Sequence, residues 1–176
     1  MEQFSPDVLI SEEDIALRID ALAKAINEEF EGQELVVVCV LKGAFMFCSD
    51  LIKKINLPVT LEFLQLSSYG EGMTSTGNVK IEMDLSGSID GKNVLIVEDI
   101  VDTGLTLTSL LDMLAMRSPK TIKLASLLFK PSRNKYPVPI DYLGFEIEDK
   151  FVIGYGLDYA GRYRELPYIG VLNAGN

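Results

Sequence analysis

Residues Val94–Leu107 read VLIVEDIVDTGLTL, an apolar run that gives way to three carboxylates, one glycine and two threonines before leucines resume. Val94–Val97 has no polar position, as expected for a strand covered on both faces of a parallel sheet. Leu107, Leu110, Leu111 and Leu114 recur at helical spacing, which predicts a helix starting close to Thr106. Glu98, Asp99 and Asp102 therefore gather where a strand ends and a helix begins. Ligands on open α/β sheets bind beyond the carboxyl ends of strands. The free N–H groups of a starting helix favour an anion there. Three negative charges in such a place need counter-charges from elsewhere in the chain.

Two other strand-like runs supply them. ELVVVCVL (34–41) leads into Lys42-Gly43, and TIKLASLLF (121–129) leads into Lys130. Taken singly, a lysine after a strand is usually a solvated loop charge, and an acidic pair before a helix simply complements its dipole. Three strand ends on one sheet edge, two cationic and one acidic, make a stronger pattern. Around them, SEED (11–14) resembles a capping box and opens a predicted helix over 11–30. A helix over 44–55 and a strand VTLEFLQL (59–66) follow. SSYGEGMTSTGN (67–78) has eight of twelve residues Gly, Ser or Thr and reads as a lid loop. VKIEMDL (79–85) alternates as a strand with one wet face, and FVIGYG (151–156) reads as a further strand. No repeat or linker divides the chain, so the expectation is a single domain over 1–176. Its predicted class is α/β, with a central, mostly parallel sheet flanked by helices.

Composition narrows the chemistry. The chain has 26 Asp and Glu against 16 Lys and Arg, a net charge of −10, and no histidine. Histidine-based triads and the commoner zinc sites are excluded. The acidic balance opposes nonspecific nucleic-acid binding, which needs a basic footprint. No apolar run reaches membrane-spanning length and no signal pattern opens the sequence, so a cytoplasmic protein is expected. Cys39, inside its apolar run, reads as a buried thiol. Any phosphate must then be held by local cations, metal or backbone donors. The loop Asp102-Thr103-Gly104-Leu105-Thr106 suits one phosphate monoester, although it lacks the Gly-Lys-Ser/Thr of a Walker A loop. GYGLDYAG (154–161) is not a dinucleotide fingerprint, because its third glycine is misplaced.

VLIVEDIVDTG resembles the phosphoribosyl-pyrophosphate motif of type I phosphoribosyltransferases. LKGA (41–44), SSYG (67–70), LLFK (127–130) and the block 141–172 resemble, in order, segments of the hypoxanthine-guanine branch of that family. The resemblance implies that family's fold, with a small hood and a flexible lid. It also implies transfer of a 5-phosphoribosyl group to hypoxanthine or guanine, with xanthine a further candidate, and no nucleic-acid or membrane partner. By the same resemblance Glu98 and Asp99 face the ribose hydroxyls or Mg²⁺, and Thr103, Gly104, Leu105 and Thr106 hold the 5′-phosphate. Lys42 and Gly43 meet pyrophosphate in a loop that can carry a non-proline cis peptide, and Arg164 meets it too. Lys130 donates to the purine 6-oxo group, Phe151 stacks on the base, and the Val152 backbone reads its ring edge. Asp158 is implied as a water-mediated ligand of a second Mg²⁺. Ser68 and Tyr69 belong to the lid, and a homodimer or homotetramer is implied.

The reaction's physics suits these residues. Displacing pyrophosphate from C1′ builds positive charge on the sugar and negative charge on the leaving group, which Mg²⁺, Lys42 and Arg164 can stabilise. In a chain without histidine a carboxylate is the natural acid/base group, and Asp102 resembles the family residue near purine N7. Ala44 and Leu105 depart from the glycine and lysine of some members and suggest a bacterial type. Three rivals remain: an RNA-binding relative that has lost catalysis, a receiver domain suggested by VLIVED, and a salvage enzyme for another purine. The acidic charge opposes the first, and too little chain follows Asp99 for the second. A lysine that donates to an oxo group opposes adenine.

Overall fold

The computed structural model describes residues 6–68 and 79–172. Tyr69 and nearly all of the expected lid loop lie outside them. A six-stranded sheet forms the centre, built from β2 (Leu35–Leu41), β3 (Val59–Ser68), β4 (Val79–Met83), β5 (Asn93–Val101), β6 (Thr121–Phe129) and β7 (Tyr142–Glu146). Its order is β4-β3-β2-β5-β6-β7, with only β4 antiparallel to its neighbour. A second, three-stranded antiparallel sheet joins β1 (Asp7–Ile10), β9 (Ile169–Val171) and β8 (Val152–Ile153).

Period-two burial explains why the central strands contain so few polar residues. Val37 and Cys39 point into one core with Leu95 and Val97, against α1 (Glu12–Glu29) and α2 (Phe45–Ile52). Val36, Val38 and Val40 point the other way, with Val94 and Ile96, against α3 (Leu105–Ala115). Each buried leucine on the α3 seam, Leu107, Leu110 and Leu114, contributes about 1.5–3 kcal/mol. The small sheet joins the first core through Ile10, Val152 and Ile169, so it caps the α1–α2 side as a hood. Arg18 on α1 donates to the carbonyls of Leu143 and Gly144, tying that helix to β7. Among the described residues no helix is long and apolar enough to cross a membrane.

Most sequence-based elements appear with shifted ends. Ser11 caps α1, its side chain accepting from Asp14 N at 3.1 Å. The helix expected over 44–55 stops at Ile52, and the strand expected over 79–85 ends at Met83, with Lys80 and Glu82 on its wetter side. β3 extends through Ser68, two residues into the expected lid. β5 runs on to Val101, because Glu98 pairs with Ser126 and Ile100 with Leu128 of β6. The strand expected over 151–156 is corrected most. Only Val152–Ile153 form a strand, in the hood rather than the main sheet, and Gly154 makes just an isolated bridge to Leu157. Gly154, Tyr155 and Gly156 all take positive φ, which ends the extended run.

Candidate active site

The carboxyl ends of β2, β5 and β6 lie side by side, and the chemistry gathers there in three groups. The first is a cavity of about 250 Å³ whose lining includes Glu98, Asp102, Thr103, Gly104 and Thr106. It sits at the N-terminus of α3, whose first N–H groups have no partner within the helix. Gly104 stands there at φ +88°, and a Cβ on it would lie 2.1 Å from the Tyr136 carbonyl. That close approach is a clasp. Lys135 N and Tyr136 N both donate to Thr103 O, at 3.1 and 2.9 Å. The segment after β6 therefore holds the loop that opens α3.

The second group lies on the other side of β5, because successive strand residues point to opposite faces. Asp99 packs onto Gly43, where a Cβ would fall 1.7 Å from its Oδ2. Glycine at that position is what admits the carboxylate. Gly43 follows a non-proline cis peptide between Leu41 and Lys42. Its carbonyl in turn packs on Gly156, where a Cβ would lie 2.2 Å away. Arg164 donates to Gly156 O at 2.6 Å and pairs with Asp158 at 3.0 Å. Gly43, Asp99, Gly156, Asp158 and Arg164 are thus linked through a run of short contacts.

Glu98 and Asp99 are adjacent carboxylates held partly away from water. Burial drives the Glu98 carboxyl well above its ordinary range, and the charge of Asp99 pushes the same way. Burial raises Asp99 as well, opposed by its bond to Glu98, by the Ile100 N–H and by Arg164. Such a pair invites a cation or hydroxyl donors. Among the described residues no three acidic, histidine or cysteine side chains converge as a ready-made metal cage. The two carboxylates themselves are a donor set that could hold Mg²⁺, which keeps waters and binds through one or two carboxylates plus substrate phosphates.

The third group follows β6. Lys130 is 8% exposed, its backbone N–H bonded to Val101 O. Its ammonium lies 3.5 Å from Asp149, which also faces Arg133 at 3.6 Å. Arg133 Nε stands 2.6 Å from Asp102 Oδ1. Phe151, 53% exposed, is no core residue; its ring meets Tyr159 edge-on at 5.7 Å. An apolar ring left open beside buried Val152 suits a flat ligand. Lys42 is exposed in its loop, and Leu105 is the first residue of α3. Ser68 closes β3.

The sequence reading did not single out Arg133, Asp149 or Gly156. The first two were visible only as ordinary loop charges in KPSR and IEDK. Gly156 was read as the last residue of the strand FVIGYG, and nothing in its spacing foretold contact with Gly43.

A family model described as the phosphoribosyl transferase domain matches residues 9–160. The chain is 50% identical over 173 residues to hypoxanthine phosphoribosyltransferase of Haemophilus influenzae, covering 97% of each. It is 48% identical over 166 residues to the Salmonella typhimurium protein of the same name, covering 93% of each. Among solved structures, a hypoxanthine-guanine phosphoribosyltransferase from Bacillus anthracis superposes with a TM-score of 0.92. That pair is 47% identical, covering 95% of this chain and 98% of the other. A variant hypoxanthine phosphoribosyltransferase from Trypanosoma cruzi, solved as a ternary substrates complex, also gives 0.92. It is 44% identical, with 98% and 97% covered.

Proposed function

The chain belongs to the phosphoribosyl transferase family, and from that membership we propose that it transfers the 5-phosphoribosyl group of phosphoribosyl pyrophosphate to hypoxanthine or guanine. The products are the purine nucleotide and pyrophosphate. The observation that carries this reading is the junction of β5 and α3, where Glu98 and Asp102 share a cavity with a helix N-terminus.

In this reading the helix-terminal N–H groups of 103–106 and the threonine hydroxyls bind the 5′-phosphate. Glu98 and Asp99 receive the ribose hydroxyls, or Mg²⁺ directly, and Asp158 receives a second ion through water. Bound Mg²⁺ supplies charge neutralisation for the pyrophosphate that leaves. Lys42 and Arg164 carry the same duty from the protein side. Lys130 donates to the purine 6-oxo group, Phe151 stacks on the ring, and the Val152 backbone meets its edge. Asp102 accepts the purine proton as N9 attacks C1′, so the base arrives neutral and leaves as nucleotide. Ser68 and Tyr69 belong to a lid that keeps water from the developing sugar cation. The protein acts in the cytoplasm, and it assembles as a homodimer or homotetramer, an assembly supported by exposed Leu61 and Phe63 on β3.

The test is direct. Incubation with phosphoribosyl pyrophosphate, Mg²⁺ and hypoxanthine should yield inosine 5′-monophosphate and pyrophosphate one for one, and chelation should stop it. A chain that forms no nucleotide with hypoxanthine or guanine would end this reading.

A further inference from the structure

The third group of the site contains an open line of acidic and basic side chains whose two ends are the groups assigned to the purine. Lys130 Nζ lies 3.5 Å from Asp149 Oδ1, and Asp149 Oδ2 lies 3.6 Å from Arg133 Nη1. Arg133 Nε lies 2.6 Å from Asp102 Oδ1. Two basic and two acidic side chains alternate along it. We propose that Asp149 and Arg133 are the positioning pair of the purine site: together they link Lys130 to Asp102 and fix the donor and the acceptor that a 6-oxopurine meets. The proposal deepens the transferase reading and rests on its placement of Lys130 and Asp102.

Three features of the geometry support it. First, the Lys130 side chain is 10% exposed while that of Asp149 is 49% exposed. Beside a lysine so enclosed, the Asp149 carboxylate is the anion placed to aim its N–H. Second, Asp102 Oδ1 is shut off from solvent and receives no aligned hydrogen bond, its charge met by Arg133 alone among the described residues. The Asp102 side chain is still 41% exposed, so its accessible surface belongs to the rest of the group, Oδ2 included. Third, the stretch carrying Arg133 is clipped to the loop carrying Asp102. Arg133 belongs to a single 3-10 turn, Pro131–Arg133, immediately after Lys130. Asn134 Nδ2 donates to Asp102 O at 3.4 Å, and Lys135 N and Tyr136 N bond Thr103 O. Backbone and side chains thus make the same connection, from the base-reading lysine to the acid/base carboxylate.

The consequence is specificity. A purine with a 6-oxo group offers an acceptor to Lys130, whereas a 6-amino group leaves that buried donor unpaired. How strictly the site enforces the difference depends on how firmly Asp149 holds the ammonium in place. Arg133 does the matching work for Asp102, so its loss should appear in the chemical step.

The experiment compares wild type with Asp149→Asn, Arg133→Gln, Arg133→Lys and the Asp149→Asn/Arg133→Gln double variant. Calorimetric titration with inosine and adenosine 5′-monophosphates is run beside initial rates with hypoxanthine. Asp149→Asn should weaken the inosine nucleotide about tenfold and the adenosine nucleotide by about twofold or less. Arg133→Gln should lower kcat about tenfold, with KM for phosphoribosyl pyrophosphate within about twofold of wild type. Arg133→Lys should recover most of that rate. Because the residues act in one chain, the double variant should be no worse in kcat than the poorer single variant. Equal weakening of both nucleotides, variants indistinguishable from wild type, or multiplicative losses in the double variant would each overturn the proposal. A wild type that prefers the inosine nucleotide through Asp149 yet turns over no base would instead overturn the transferase reading alone.

Discussion

The β5–α3 junction and the hood-side segment 149–164 serve the same edge of the sheet but are built on different principles. The junction is a strand running straight into a helix. Its two sharpest requirements are met by glycines, Gly43 against the Asp99 carboxylate and Gly104 against the Tyr136 backbone carbonyl. The hood side is a looped path through Gly154, Tyr155, Gly156, Ala160, Gly161 and Tyr163, all at positive φ, with Phe151 and Tyr159 exposed. One half is held by sheet registration and the other by turns and ion pairs. On the proposed reading, the half that would place the sugar and the phosphate is the one held by sheet registration. The half proposed to admit a flat base is the one that leaves Phe151 and Tyr159 exposed.

Substitutions on the two sides should therefore fail differently. The largest effect belongs to Asp102→Asn at the junction, where kcat should fall by about 10²-fold or more while nucleotide binding persists. Calorimetry beside steady-state rates checks both, and unchanged turnover would remove Asp102 from the acid/base role. Gly43→Ala comes next. Its methyl would displace Asp99 or the loop behind Lys42, and misplacement of about 1 Å can cost about 10²-fold in rate. That loss should fall on the use of phosphoribosyl pyrophosphate, with little change in KM for the base.

Gly104→Ala should destabilise the fold by about 2 kcal/mol, read from urea midpoints, since it combines strain at φ +88° with the clash on Tyr136. On the hood side, Phe151→Ala should raise KM for hypoxanthine about tenfold and leave stability nearly unchanged, because base–aromatic stacking is worth about 1–3 kcal/mol and the ring is exposed. A large loss of stability there would show that the two halves are not built as differently as they look. The smallest change is Arg18→Ala, outside both halves. It should cost about 1 kcal/mol of stability and leave both KM values alone, since it cuts only the tie between α1 and β7.

The same contrast decides what could be read from sequence. The central strands announced themselves because burial on both faces leaves runs such as LVVVCVL without polar residues. TIKLASLLF matched its strand end to end, and the leucine spacing of α3 placed its start within one residue. The candidate residues of the junction form one continuous motif, so both their chemistry and their spacing were visible. β1, β7 and β9 were not anticipated. They run three to five residues, too short for periodicity to register, and two of them pair only within the hood. FVIGYG failed as a six-residue strand because left-handed glycines look the same in sequence whether they end a strand or interrupt it. Arg133 and Asp149 were illegible for another reason: an ion pair between loops is a fact of three-dimensional placement, and neither residue's neighbours betray it.

The most direct measurement is of initial rates with hypoxanthine, guanine, xanthine and adenine, each with phosphoribosyl pyrophosphate and Mg²⁺. The enclosed donor of Lys130 should make kcat/KM for hypoxanthine or guanine exceed that for adenine by about 10⁴-fold, with the same rates ranking xanthine. Adenine turned over within about tenfold of hypoxanthine would contradict a site built around a 6-oxo acceptor.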